Sequence, residues 1–214
     1  MSEITLLCAL AGAFIVLIVS PGPNFLVITQ LSFRQSRQQG VSAGLGVASG
    51  SILWALLAAT GLGIIFQYLP WLQPSLQLLG GAYLSWLGYK SLRNAGTQPQ
   101  PRNLGALGIS SLGRAYRFGL LTNLTNPKAL AFYTSVFSTV TSPGLPMWVR
   151  GAGVSIIGVL AISWFVLLAT LFSIPAIQVR YQRRKKAIDI ATGLFMVAFG
   201  LRLLSGLLPA GTFS

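Results

Sequence analysis

Lys128 is the residue that most needs a chemical explanation. It stands in Leu121-Thr122-Asn123-Leu124-Thr125-Asn126-Pro127-Lys128-Ala129, inside the otherwise uncharged run 118–140. A lysine at the middle of a membrane span costs roughly 2.5 kcal/mol or more on insertion scales, so its presence calls for a reason. An ammonium group there can hold a substrate carboxylate or take part in proton transfer; it can equally pair with an acid or cap carbonyls and lock helices together. Asn126-Pro127, just before it, reads as a helix N-cap followed by proline at the first helical position. The span is therefore expected to unwind and restart, presenting free N–H groups and the positive end of a helix dipole, which suit an anion. Thr122, Asn123 and Asn126 fall on one broad face, either lining an approach or acting as polar glue between helices.

A second break lies in Ser20-Pro21-Gly22-Pro23-Asn24, within an apolar run from Ile4 to Phe33. As one helix that run would be about 45 Å long, against a hydrocarbon core of ~30 Å. Two prolines flanking a glycine remove backbone donors and disfavour helix before each ring, so a broken transmembrane helix is expected. Unwound backbone at membrane depth is tolerated only where protein or a polar cavity surrounds it. The expected substrate site is thus Pro21, Gly22, Pro23, Asn24, Asn123, Asn126, Pro127 and Lys128. Backbone N–H groups and Lys128 would receive a carboxylate, and Asn24 and Asn123 an ammonium group or side chain. Asp189 follows Lys185 and Lys186 at i+4 and i+3; it is either a salt bridge at the membrane edge or a proton acceptor and ammonium counter-ion. Trp54 and Trp164 lie mid-span, where they wall a cavity or pack a core. Gly40, Gly44, Gly46 and Gly50 have the small-xxx-small spacing of close helix packing.

Composition narrows the chemistry. Of 214 residues, 53% are hydrophobic and 8% charged, with mean hydropathy +0.71; a soluble domain carries roughly 25% charged residues, so an integral membrane protein is expected. Basic residues number 15 and acids only two, Glu3 and Asp189. With this hydropathy the +13 charge reads as a positive-inside signal and an attraction to anionic lipid rather than as a nucleic-acid surface. One cysteine and no histidine exclude an internal disulfide and leave no thiolate or imidazole cluster for a metal. Cys8, in apolar surroundings, is expected to be inert packing. Two acids and no histidine also leave few groups for acid–base catalysis, so no enzyme and no cofactor is expected. No basic n-region marks a cleaved signal peptide.

Six apolar spans are expected at 4–33 (with its break), 41–66, 72–92, 118–140, 151–174 and 187–208. Pro70 and Pro74, the stretch from Asn94 to Gly113, and Ser142-Pro143-Gly144-Leu145-Pro146 supply turns. Twelve of the 15 basic residues fall in the three loops after spans one, three and five, which puts those loops in the cytoplasm and both termini outside. The halves also repeat. Gly81-Ala82-Tyr83-Leu84-Ser85-Trp86-Leu87-Gly88-Tyr89-Lys90 recurs as Gly193-Leu194-Phe195-Met196-Val197-Ala198-Phe199-Gly200-Leu201-Arg202, Trp54 to Thr60 recurs as Trp164 to Thr170, and Pro23 falls opposite Pro127. Three spans per half is an odd number, so the halves lie in opposite orientations, as in many secondary transporters. The expected organisation is a first repeat at 1–93, a basic cytoplasmic linker at 94–117 and a second repeat at 118–214.

The motifs Ser20-Pro21-Gly22-Pro23-Asn24, Gly81-Ala82-Tyr83-Leu84-x-Trp86-Leu87-Gly88 and Gly119 to Ala129 together resemble the LysE/RhtB superfamily of amino-acid exporters, over nearly the whole chain. Ser163-Trp164-Phe165, Leu171 to Pro175, Tyr181-Gln182-Arg183 and Ile188-Asp189 look most like its threonine/homoserine branch. The resemblance implies a bacterial inner-membrane carrier that expels threonine, homoserine or similar small neutral amino acids, driven by proton antiport. That branch often has Asp where this chain has Asn24, a lost charge that bears on substrate class or coupling. Taken together, the expectation is an all-α protein of six transmembrane helices in two inverted repeats, helices one and four broken near the midplane. Its partners would be an amino acid, protons and lipid, with no nucleic acid, and a homo-oligomer is compatible with the plan. Export of another small solute (a drug, an osmolyte or an inorganic ion) on the same six-helix plan is the alternative.

Overall fold

In a computed structural model of the chain, residues 2–62, 68–69, 71–97, 109, 111–140 and 145–205 are described. Their regular structure is helical throughout: α1 Glu3–Val19, α2 Pro23–Arg34, α3 Arg37–Leu57 with a π-helical turn Ala58–Leu62, α4 Leu72–Arg93, α5 Leu112–Leu124, α6 Pro127–Val140, α7 Met147–Phe172 and α8 Pro175–Ser205. Pro70, Arg102, Ser142-Pro143-Gly144 and the expected ends of spans two and six lie outside the described residues, as does half of the 94–117 linker.

Both expected breaks are present, and the local sequence accounts for them. α1 stops at Val19 and α2 opens with Pro23 in its first turn, the two helices meeting at 52°. Gly22 is extended there, a conformation its neighbouring prolines allow. α5 stops at Leu124 and α6 restarts at Pro127, with the Lys128 N–H donating to Asn126 Oδ1 at 3.0 Å. Ser36 and Ser111 cap α3 and α5 in the same way, through bonds to Gln39 N and Arg114 N.

By length and composition α3 with its π turn, α7 and α8 can each cross a membrane, and α1 with α2 makes a fourth candidate as one bent span. Two boundaries differ from the expectation. α5 begins at Leu112 and so takes in Arg114 and Arg117 of the expected linker. Arg180, Arg183, Arg184, Lys185 and Lys186 lie inside α8 rather than in a loop before span six. Nothing between Pro175 and Gly193 breaks a helix, the long basic side chains are good helix formers, and Lys185 pairs with Asp189 one turn on.

α3 is the centre of the packing, in contact with α2, α5 and α7. Its small residues permit this: a Cβ on Gly46 would lie 2.0 Å from the Tyr116 carbonyl of α5, and one on Gly44 3.0 Å from the Phe165 carbonyl of α7. A second tight seam joins α4 to α8. There Gly88 abuts the Gly193 carbonyl and Gly200 abuts the Gly81 carbonyl, each leaving 2.6 Å for an added Cβ. The order reverses along the two helices, so the repeated glycine pairs face one another antiparallel. The buried core between these seams contains Phe14, Ile28, Phe132, Tyr133 and Phe165.

Overpacking such a seam typically costs about 1–3 kcal/mol. Gly88→Leu is therefore expected to lower the thermal unfolding temperature of the detergent-solubilised protein by several degrees. Gly151→Leu, where nothing stands within 4 Å of an added Cβ, should leave it unchanged.

Candidate functional site

The two breaks meet. Lys128, at the start of α6, is only 4% exposed, and its ammonium donates to the Ser20 carbonyl at 3.0 Å and to Ser20 Oγ at 2.5 Å. Ser20 is the C-cap of α1, so the cation sits against the negative end of that helix. Gly22 lies alongside the lysine stem: an added Cβ would stand in ordinary contact, 3.6 Å from Lys128 Cδ and 3.7 Å from Nζ. The C-terminus of α1 and the N-terminus of α6 are thereby tied through one side chain.

A cavity of about 20 Å³ lies at this junction, walled by Ser20, Gly22, Asn24, Asn123, Asn126 and Lys128 on its polar side and by Phe14, Phe25, Tyr133 and Phe165 on its apolar side. That volume holds about one water, so the site is closed as it stands. Asn123 Nδ2 donates to Ser51 Oγ at 3.2 Å, while Asn123 Oδ1 and Asn24 Oδ1 are buried without a hydrogen-bond partner. Both lone acceptors belong to residues of the cavity wall. Gly22 offers no capping side chain to the first turn of α2.

The charges leave Lys128 without an anion. Glu3 begins α1, and Asp189 is engaged elsewhere: it is paired with buried Lys185 and accepts the Gly96 N–H at 3.0 Å. Gly96 has φ +86°, a backbone conformation that favours glycine. Among the described residues no other ion pair is present, and no three His, Cys, Asp or Glu side chains converge on a metal position. The site is thus one ammonium donor and two unpartnered amide oxygens in an apolar shell. It is complementary to a small zwitterion, whose carboxylate needs donors and whose ammonium needs acceptors.

Of the expected residues, Gly22, Asn24, Asn123, Asn126 and Lys128 line the cavity. Pro21, Pro23 and Pro127 shape the breaks beside it. Asp189 does not join them, and Thr122 turns its hydroxyl back to the Phe118 carbonyl at 2.7 Å. Trp164 Nε1 donates to the Ile18 carbonyl at 2.9 Å, near the end of α1, and Trp54 stacks on Tyr133 at 6.3 Å; each supports the wall from behind. Cys8 is exposed rather than packed. Ser51, Tyr133 and Phe25 were not legible as site residues, being single residues in apolar helices. Ser20 was legible only as part of a break, although its place opposite a restarting helix was the available signal.

A family model described as LysE type translocator matches residues 15–206. The chain is 34% identical over 204 residues to the threonine efflux protein of Escherichia coli (strain K12), covering 93% of this chain and 97% of that protein. It is equally similar, at 34% over 195 residues, to the threonine efflux protein of Salmonella typhi, covering 91% and 95%. It is 30% identical over 203 residues to the leucine efflux protein of Enterobacter sp. (strain 638), covering 91% and 92%. No solved structure matches it.

The two buried lysines should respond differently to removal of charge. Replacing a buried charge that has no counter-charge by an apolar side chain of similar volume removes its desolvation cost, whereas deleting one partner of a buried pair costs about 3–5 kcal/mol. Lys128→Met is thus expected to keep or raise the melting temperature. Asp189→Asn, which strands Lys185, should lower it clearly in the same detergent melt.

Proposed function

We propose that this chain, which belongs to the LysE type translocator family, is a multi-pass inner-membrane carrier that exports small neutral amino acids such as threonine or homoserine. The observation that carries the proposal is Lys128: a buried cation with no anion, beside two buried amide oxygens with no donor. An amino-acid zwitterion supplies both missing partners.

In this reading the chain forms six spans as two inverted repeats, α1–α2, α3 and α4 against α5–α6, α7 and α8, with 94–117 as a basic cytoplasmic linker and both termini outside. The two breaks and the antiparallel glycine seam between α4 and α8 support it, because a twofold axis in the membrane plane would set repeat-mates face to face. By the offset that relates Pro23 to Pro127, Asn24 and Lys128 are themselves mates. One half contributes the acceptor amide, the other the cation.

Transport follows from exchange of partners. The carboxylate takes Lys128 from the two Ser20 oxygens, a charge-assisted bond replacing bonds to neutral groups. Asn24 and Asn123 take the ammonium. Freed from Lys128, the C-terminus of α1 can move relative to α6, opening a site that now admits about one water. The bend between α1 and α2 is the natural hinge, since no helical bond bridges the prolines. A coupling proton is carried by Lys128 or by Asp189, the latter through its pairing with Lys185.

The test is efflux from dipeptide-loaded cells across a panel of amino acids. Lys128→Met and Asn24→Ala are expected to reduce threonine efflux by about tenfold or more, as loss of a charged contact worth roughly 1.5–3 kcal/mol implies. Parental rates in correctly inserted variants would overturn the site, and a flat panel would overturn the substrate class.

A further inference from the structure

We propose a second amino-acid subsite on the basic-loop face, in the hollow between α2 and the start of α8, separated from the inner cavity by the Phe25 ring. The proposal rests on the export of amino acids argued above. The hollow measures about 200 Å³, against about 20 Å³ for the inner cavity, so of these two adjoining spaces it is the one with room for an amino acid in this closed arrangement.

Its polar groups match that ligand. Gln30 and Arg34 lie on its wall, four residues apart on α2 and so on one face of the helix. Gln30 Oε1 is buried without a hydrogen-bond partner and awaits a donor such as an α-ammonium group. Arg34, exposed in the last turn of α2, presents the planar donor fork that matches a carboxylate. Gln178, on the facing wall, donates from Nε2 to the Phe172 carbonyl at 2.8 Å, which leaves recognition of the ligand to Gln30 and Arg34.

Phe25 is the residue common to the walls of both cavities. Its ring packs at 5.3 Å from Phe172 of α7 and 5.3 Å from Tyr181 of α8, and those two rings stand 5.2 Å apart. Three rings from three helices thus close the direct way inward. Because Asn24 and Phe25 are adjacent at the start of α2, directly after the α1–α2 bend, a change of that bend that widens the inner site also shifts the ring. The subsite collects the amino acid at one end of α2, and the gate at the other end admits it.

The test uses reconstituted full-length protein with Cys8→Ser and one reporter cysteine, labelled by a membrane-impermeant thiol reagent from the basic-loop side. With Gln178→Cys as reporter, threonine should slow labelling several-fold, threonine methyl ester should not, and protection should persist with Lys128→Met but disappear with Arg34→Lys. With Ser51→Cys as reporter in the inner cavity, Phe25→Ala should speed labelling several-fold. Protection that vanishes with Lys128→Met, or that survives Arg34→Lys, overturns the subsite; labelling of the inner reporter that ignores Phe25→Ala overturns the gate. Threonine efflux measured in the same preparation separates the two levels. Efflux without protection at Gln178→Cys overturns the subsite alone, whereas absence of amino-acid efflux from the parental protein overturns the reading on which it rests.

Discussion

The structure turns on one ammonium group that has no anion. Lys128 is buried where a lone charge is expensive, and its oxygen partners are both supplied by Ser20, at the end of a different helix. The end of α1 favours this: an uninterrupted helix would engage the Ser20 carbonyl with the N–H four residues on. The break supplies the acceptor, and the second break, by restarting α6 at Pro127, places the donor. Each interruption therefore has its purpose in the other.

Around that bond the molecule separates rigid from movable parts. The glycine seams of α3 against α5 and of α4 against α8 bring backbones so close that a methyl group would not fit without displacement, and α3 against α7 is nearly as tight. Such seams resist sliding because packed interiors have little slack. The link between α1 and α6, by contrast, is made by side chains: Lys128 on the Ser20 oxygens, and Phe14 against Phe132 and Tyr133. At the basic face Asp189 and Lys185, with the Gly96 N–H, fasten α8 to the chain that follows α4, and neither lines the cavity of Lys128. Two buried lysines in one chain thus have opposite standing, one paired with an anion and one held by neutral oxygens.

How much of this was legible depended on how local the physics is. The breaks were legible because proline and glycine act on the backbone of their own and adjacent residues, whatever surrounds them. Lys128 was legible because its burial cost does not depend on which helix it faces. The length of α8 was not: five basic residues read as a loop by hydropathy, while the Lys185–Asp189 pair and the absence of any breaker allow the helix to run on. The cavity wall formed by Ser51, Tyr133 and Phe25 was not legible either. A serine, tyrosine or phenylalanine in an apolar helix looks the same in sequence whether it faces lipid, core or cavity.

The sequence by itself therefore determined the class of the protein, the positions of both interruptions and the ionisable group between them. These follow from composition, from backbone chemistry and from the energy of a charge in hydrocarbon. Tertiary structure alone decided which partners those groups have. It set Ser20 rather than Asp189 against Lys128, left the Asn24 and Asn123 oxygens unpaired, turned Thr122 back on its own helix, and put Phe25 between two cavities. Partner choice depends on helix rotation and close approach, and these are settled by contacts between residues more than a hundred positions apart, as Lys128 and Ser20 are.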